Sequence, residues 1–231
     1  MRNIRSDILV HWTGRDIEER KQQEKLSWQE VSRLYLERFL DIVEHGFWMT
    51  ENIEVFDLKK NTWSYEFSGT CFTELKLSEA DIHAERYGRL GIGVSRDWIR
   101  RRGGMPVHYL PIGKEESFTR EYRKKCYDNI KPFLKPMGEK YADAPGYNLY
   151  QFMDEMEWRI VEESAVDHVE KRESDPEVCL GRIPLFAKDI ALTIFPVATV
   201  RKKAFQYLEA SLTPHSANMF SSVLLEQCKN F

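Results

Sequence analysis

LGIGVSRDWIRRRGGMPVHYL, residues 90–110, carries the order of elements that decides the fold class. Leu90–Val94 is a short apolar run with β-branched residues and reads as a strand. Ser95 can cap a short helix that continues to Arg102, Gly103-Gly104 breaks it, and Pro106–Leu110 returns as a second strand. Strand, helix and strand in so short a span predict an α/β (α+β) fold, a mixed sheet with flanking helices. Upstream, Ser78 and Asp81 can cap a short helix whose i,i+4 spacing puts His83 and Tyr87 on one side. Gly69–Glu74 reads as a strand edge entering a loop, and residues 47–67 as one or two strands with Lys59-Lys60-Asn61 as the turn.

Nearer the N-terminus, Ser27-Trp28-Gln29-Glu30 is a capping box. The helix it starts carries Trp28, Val31, Leu34, Tyr35, Ile42 and Val43 at helical spacing and stops at Gly46. Ile8–Trp12 is a buried-type strand with His11 near its end, followed by Thr13-Gly14. Downstream, Phe118, Tyr122, Cys126, Ile130 and Phe133 predict a helix over residues 115–134, stopped by Pro136 and followed by an irregular stretch through Pro145-Gly146. In residues 156–161, Met156, Trp158 and Ile160 alternate with Glu157 and Arg159, the pattern of a half-buried strand. Residues 162–176 are strongly charged and read as a solvated excursion, Ile190–Phe195 as a strand, and residues 197–231 as two helices parted near Thr213-Pro214-His215. The expected organisation is one domain over residues 1–231, without internal repeats.

At 231 residues, 42% of them hydrophobic, the chain can build a sizeable core. Its 34 Lys and Arg against 37 Asp and Glu give a net charge of −3, so no global positive field points to nucleic acid or an anionic membrane. Mean hydropathy of −0.53 and the lack of a long apolar run argue against a membrane-spanning segment. The opening residues do not read as a secretory leader, so a cytoplasmic protein is expected. Cys71, Cys126, Cys179 and Cys228 are widely spaced and form no CxxC, which argues against a zinc ribbon or a disulfide framework.

The P-loop, nucleophile-elbow and HExxH patterns are absent, and Gly88, Gly91 and Gly93 fall in the wrong order for a dinucleotide-binding GxGxxG. His83 and His108 lack acidic or sulfur partners at ligand spacing, so no metal is expected. Basic residues cluster at Arg96, Arg100–Arg102, Arg120, Arg123–Lys125 and Arg201–Lys203. Such runs are ordinarily solvated helix faces, but converging on one surface they would hold a nucleic-acid backbone or an acidic partner protein.

Ser6–Gly14, Cys71-Phe72-Thr73-Glu74, Arg86-Tyr87-Gly88 through Val94, Pro106-Val107-His108-Tyr109 and Glu157-Trp158-Arg159-Ile160 together resemble the AbiGi family of abortive phage-resistance proteins. That resemblance implies a role in bacterial phage defence, as the antitoxin partner of a nucleotidyltransferase-like toxin. A more distant similarity is to DarT-type ADP-ribosyltransferases, through a strand bearing His11-Trp12-Thr13 and a late strand bearing Glu157. It implies NAD as co-substrate, with His11 and Thr13 holding the ribose and nicotinamide amide, Tyr87 stacking on the nicotinamide and Glu157 catalytic. A carboxylate there would orient a ribose hydroxyl and stabilise the oxocarbenium-like charge that forms as the glycosidic bond breaks. Arg159, on the same strand face, would bind the pyrophosphate.

Each residue also has a purely structural reading. His11 suits a satisfied core histidine, Tyr87 a core aromatic, and Glu157 with Arg159 an ion pair holding a sheet face. Two functions follow: an ADP-ribosyltransferase modifying nucleic acid or protein, or a non-catalytic antitoxin that neutralises its toxin or represses its operon. The enzyme requires His11, Tyr87 and Glu157 to converge on one ligand-sized pocket.

Overall fold

The computed structural model describes residues 7–58, 61–74, 76–111, 128–137, 139–140, 150–151, 156–162, 170–171, 181–211 and 221–230. In chain order the elements are strand β1 (Ile8–Thr13), helices α1 (Arg15–Glu24) and α2 (Trp28–His45), and strands β2 (Phe47–Trp48), β3 (Thr50–Leu58) and β4 (Asn61–Thr73). Helix α3 (Ala80–Tyr87), strand β5 (Leu90–Ser95), helix α4 (Arg96–Arg100) and strands β6 (Met105–Pro106), β7 (His108–Pro111) and β8 (Leu134–Met137) follow. The short strands β9 (Glu139–Lys140) and β10 (Tyr150–Gln151) pair with each other. Then come β11 (Glu157–Val161), β12 (Glu170–Lys171), β13 (Gly181–Ile183), β14 (Ile190–Phe195), helix α5 (Ala198–Ser211) and β15 (Ser221–Leu224).

The main sheet is mixed and eight-stranded, in the order β15-β14-β5-β1-β4-β11-β6, with β3 joined to β4 outside that path. Every pairing in it is antiparallel except β14 with β15. Strand β4 is the hinge of this arrangement. Its first part forms a long ribbon with β3, and from Gly69 to Thr73 it pairs with β11 inside the sheet.

One sheet face is covered by helices. Leu9, Phe72, Leu90, Ile92, Val94, Trp158 and Ile160 pack there against Val31, Tyr35, Phe39 and Ile42 of α2 and Val200, Ala204 and Leu208 of α5. The reason α2 lies down on the sheet is the apolar stripe at helical spacing, and its start is fixed by Ser27. The Ser27 hydroxyl accepts from the Glu30 amide while the Glu30 carboxylate accepts from the Ser27 amide. Its end is Gly46, whose φ of +88° and a would-be Cβ only 2.0 Å from the Ile183 carbonyl admit glycine alone.

The opposite face is covered in two parts. Val10, Trp12, Leu192 and Ile194 pack against Ala80 and Ala84 of α3 and against Leu225 and Cys228 of a C-terminal 3-10 turn. Farther along the sheet, the parallel pair β7–β8 packs over β3, through Phe56, Leu110 and Leu134.

The strands at 8–13, 90–95 and 190–195 and the two Ser-capped helices stand where the sequence puts them. Others differ. Arg15–Lys25, read only as a charged stretch, is helix α1; it buries Ile17 alone and is laced by the i,i+4 pairs Arg15–Glu19 and Arg20–Glu24. Gly69–Glu74 is no strand edge but the inner end of β4, paired with β11. Helix α3 starts after a 3-10 turn at Leu77–Glu79 and has no side-chain cap. Of the helix expected over 115–134, residues 128–133 form a 3-10 turn with Pro132 inside it, and residues 134–137 are a strand. Residues 115–127, the turn at Lys59-Lys60, the stretch through Pro145-Gly146, most of 162–176 and Thr213-Pro214-His215 lie outside the described residues. The second C-terminal helix is replaced by β15, whose Val223 and Leu224 extend the apolar sheet beside Ile194 and Phe195, and by the 3-10 turn Leu225–Asn230.

Candidate functional site

A cleft of about 630 Å³ opens where β1 runs into α1, between α1, α2 and the end of α3. His11, Thr13 and Tyr87 all line it, together with Arg38, Asp16, Asp41 and Trp48. Three of the residues singled out for NAD therefore do share a ligand-sized space.

His11 sits on the helix-covered face, edge-on to Phe47 and near Phe72, with ring centroids 5.1 and 5.8 Å away. Its Nδ1 lies 2.9 Å from the Cys71 carbonyl, which can only accept, so Nδ1 carries the proton and Nε2 is the acceptor of the neutral ring. Burial, with a contribution from the nearby Arg38 cation, pushes the His11 pKa down to about 4 against the opposing pull of the Cys71 carbonyl. The ring is neutral at physiological pH.

Thr13 accepts a 2.8 Å hydrogen bond from Arg38, whose other nitrogen reaches Asp16 at 2.7 Å. Asp41 holds Arg182 through both carboxylate oxygens at 3.0 Å, and the guanidinium lies 3.4 Å over the Trp48 ring. Burial alone would raise the Asp41 pKa, but Arg182 outweighs it and holds the carboxyl below its usual value. Tyr87 stacks on His83, which in turn stacks on Trp12, each pair with centroids 6.4 Å apart. Gly88 closes this wall: its φ is +103°, and a Cβ there would stand 2.4 Å from the Thr13 carbonyl and the Arg15 amide. Gly91 and Gly93, the other glycines of the GRLGIG segment, are packing glycines on β5 beneath Val10 and Ile8.

Glu157 is not in this cleft. Residues 157 to 161 are all buried, so the strand read as half-buried has two buried faces. Trp158, paired with Phe72, points to the helix-covered face, and alternation sends Glu157 and Arg159 to the other. There the two Glu157 oxygens are taken by Arg159 Nε and Lys135 Nζ, each at 2.6 Å. Arg159 also donates to the Pro132 carbonyl at 2.6 Å and to Glu54, and its guanidinium lies 4.5 Å over Phe67. Burial would raise the Glu157 pKa, but Arg159 and Lys135 prevail and hold it well below the usual carboxylate range. Glu54, by contrast, is pushed up by burial in spite of Arg159. Glu157 borders a second cleft of about 570 Å³ with Glu74, Arg96, Arg100, Tyr109 and Met156, yet its carboxylate is consumed inside the protein.

Arg159, expected to bind a pyrophosphate, is only 1% exposed and fully engaged. Cys71, on the same face, has its thiol pKa pushed up chiefly by burial, which disfavours the thiolate. The basic clusters are partly spent as well: Arg96 pairs with Glu74 and Arg101 with Asp97, while Arg102 lies 3.8 Å over the Trp98 ring. Arg120 and Arg123–Lys125 lie outside the described residues. Among the described residues no three His, Cys, Asp or Glu side chains gather as metal ligands would, and no helix is long and apolar enough to cross a membrane.

The sequence reading missed Arg38, Asp16 and Trp48 as cleft residues and Lys135 and Glu54 as partners of the buried ions. Arg38 had a signal: it is a cation one turn from both Tyr35 and Ile42, at the border of the apolar stripe of α2. Lys135 had none, because it belongs to a strand that the helical spacing of the preceding residues concealed.

No curated protein and no solved structure matches the chain. The resemblance to DarT-type transferases therefore has no support beyond the residues that suggested it. Tyr87 and the whole span from β3 to β8 fall within the stretch that a family model does match, whereas His11, Thr13, Glu157 and Arg159 fall outside it. Residues 49–139 match the model of the AbiGi family, described as "Putative abortive phage resistance protein AbiGi, antitoxin".

Proposed function

We propose that the chain is the antitoxin of an abortive phage-defence pair and acts by binding its toxin, not by chemistry at Glu157. The observation that carries this reading is the state of Glu157: each oxygen accepts from a buried cation, and the side chain stands across the sheet from His11. A carboxylate that must orient a ribose hydroxyl has to face the cofactor, and Glu157 faces away from the His11 cleft with its charge matched by Arg159 and Lys135. The family match supplies the class of function, and the similarity read from the sequence supplies the partner, a nucleotidyltransferase-like toxin. Co-expression with that toxin should restore growth, and His11→Ala should restore it as well as wild type. Absence of rescue by the wild-type chain would refute the antitoxin reading.

A second reading is favoured by one feature, the shared cleft of His11, Thr13 and Tyr87. Its volume suits a ligand of nucleotide size, with Nε2 of a neutral histidine as acceptor and the Thr13 hydroxyl free to donate. In this reading the cleft binds NAD as a ligand. Calorimetry with wild type and His11→Ala decides it: saturable heat lost in the variant supports the site, and no heat at millimolar NAD removes it.

A further inference from the structure

We propose that the outer edge of β3 is a docking strand for an extended, basic segment of a partner protein, which joins the β3–β4 ribbon as one more strand. The identity of that partner as a toxin rests on the antitoxin reading above; the edge itself does not.

Strand β3 pairs with β4 along its whole length, from Thr50 opposite Gly69 to Leu58 opposite Asn61, and among the described residues with no other strand. In an antiparallel ribbon alternate N–H and C=O groups of the outer strand point away from its neighbour, ready to pair. Natural edge strands are protected by charged side chains, lysine above all, and by proline or a bulge, and the charges of β3 are acidic alone. Residues 50–58 contain neither lysine nor proline, and their register with β4 runs without interruption. Instead β3 displays two β-branched apolar side chains on its solvent face, Ile53 at 64% and Val55 at 49% exposure. The other face is anchored from beneath, with Glu54 held by Arg159 and Phe56 packed with Leu110 and Leu134.

Charge selects the occupant. Strand β3 holds no Lys or Arg, the first cations being Lys59 and Lys60 beyond its end, and of its acidic residues Glu54 is spent on Arg159 while Glu51 is exposed. Glu66 on β4 stands opposite Ile53, and Glu51 is exposed on the same face. A second copy of this chain would set one acidic strand against another, whereas a strand alternating Lys or Arg with aliphatic residues would match both the charge and the apolar pair. The ribbon also lies wholly within the stretch that matches the antitoxin family.

The test titrates the isotope-labelled full chain with a synthetic peptide alternating Lys with Val and Ile, read by NMR at low salt. The proposal expects shifts confined to β3 and β4 amides, affinity at least tenfold weaker for the Ile53→Lys/Val55→Lys variant, and no binding of the matching Glu-containing peptide. Glu51→Lys/Glu66→Lys should reverse the preference between the two peptides. No shift at millimolar peptide, shifts elsewhere, or equal binding of both peptides would overturn it, as would a dimer abolished by Ile53→Lys/Val55→Lys. Growth rescue separates the two proposals. Undiminished rescue by Ile53→Lys/Val55→Lys removes the edge as the toxin's docking strand and leaves the antitoxin reading; β3 binding without any rescue by wild type does the reverse.

Discussion

His11 and Glu157 stand on opposite faces of one sheet. His11 shares its face with Phe72, which pairs directly with Trp158, and the neighbouring Glu157 is turned away by the alternation of the strand. A histidine and a glutamate that look like partners along the chain are thus separated by the sheet itself. The cleft at His11 and the ion network at Glu157 have different chemistry, and each makes its own predictions.

Removing the charge of Glu157 should unfold the protein sooner. Glu157→Gln leaves Arg159 and Lys135 buried without their common anion, a loss on the order of 3–5 kcal/mol for a broken buried pair. Urea denaturation measures it. A change below about 1 kcal/mol would mean that the network is not structural.

Acid should destabilise the fold through two groups. For His11 the folded pKa of about 4 lies below the ordinary value of 6.5, so the unfolded chain binds the extra proton, and stability falls as pH drops from about 6.5 towards 4. For Glu157 the folded pKa is also depressed, so its contribution is present above the ordinary carboxylate value of 4.5 and is lost below it. The imidazole resonances of His11 should therefore show no midpoint above pH 5. A titration centred near 6.5 would contradict the half-buried, neutral ring.

The wall of the cleft depends on a residue without a side chain. Gly88→Ala combines a positive φ with a Cβ inside contact distance of the Thr13 and Arg15 backbone, and should cost about 2–4 kcal/mol. Thermal unfolding would read it, and a melting temperature like that of wild type would show that α3 can move off β1 far enough to admit a methyl group.

Ser27→Ala removes the hydroxyl that caps α2. The expected loss is about 1 kcal/mol, seen in the denaturation midpoint without a change of slope. A neutral effect would place the start of α2 under the control of packing alone.

What the sequence disclosed follows from how local each signal is. The capping box at Ser27, the Ser95 cap and the β-branched runs at 8–12 and 190–195 are encoded within a few residues, and all stand in the structure. Helix α1 escaped because its single buried residue, Ile17, leaves no periodic stripe to read. The alternation in 157–161 sets Trp158 and Ile160 against Glu157 and Arg159, as in the structure, but the polar face is buried too. The face is buried because Lys135 and Glu54, distant in sequence, arrive to neutralise it. His11, Thr13, Tyr87 and Glu157 are grouped by one and the same likeness to another family; the cleft brings the first three together, and the sheet sets Glu157 apart.

Stoichiometry tests the central claim most directly. Inhibition of the nucleotidyltransferase-like toxin should be titrated with the purified chain, with and without NAD, while the complex is followed by sedimentation. Binding without catalysis predicts inhibition that completes near equimolar chain, with a stable complex and no dependence on NAD. Complete inhibition by a small fraction of an equivalent, only when NAD is present and with no complex formed, would contradict it and return catalysis to this fold.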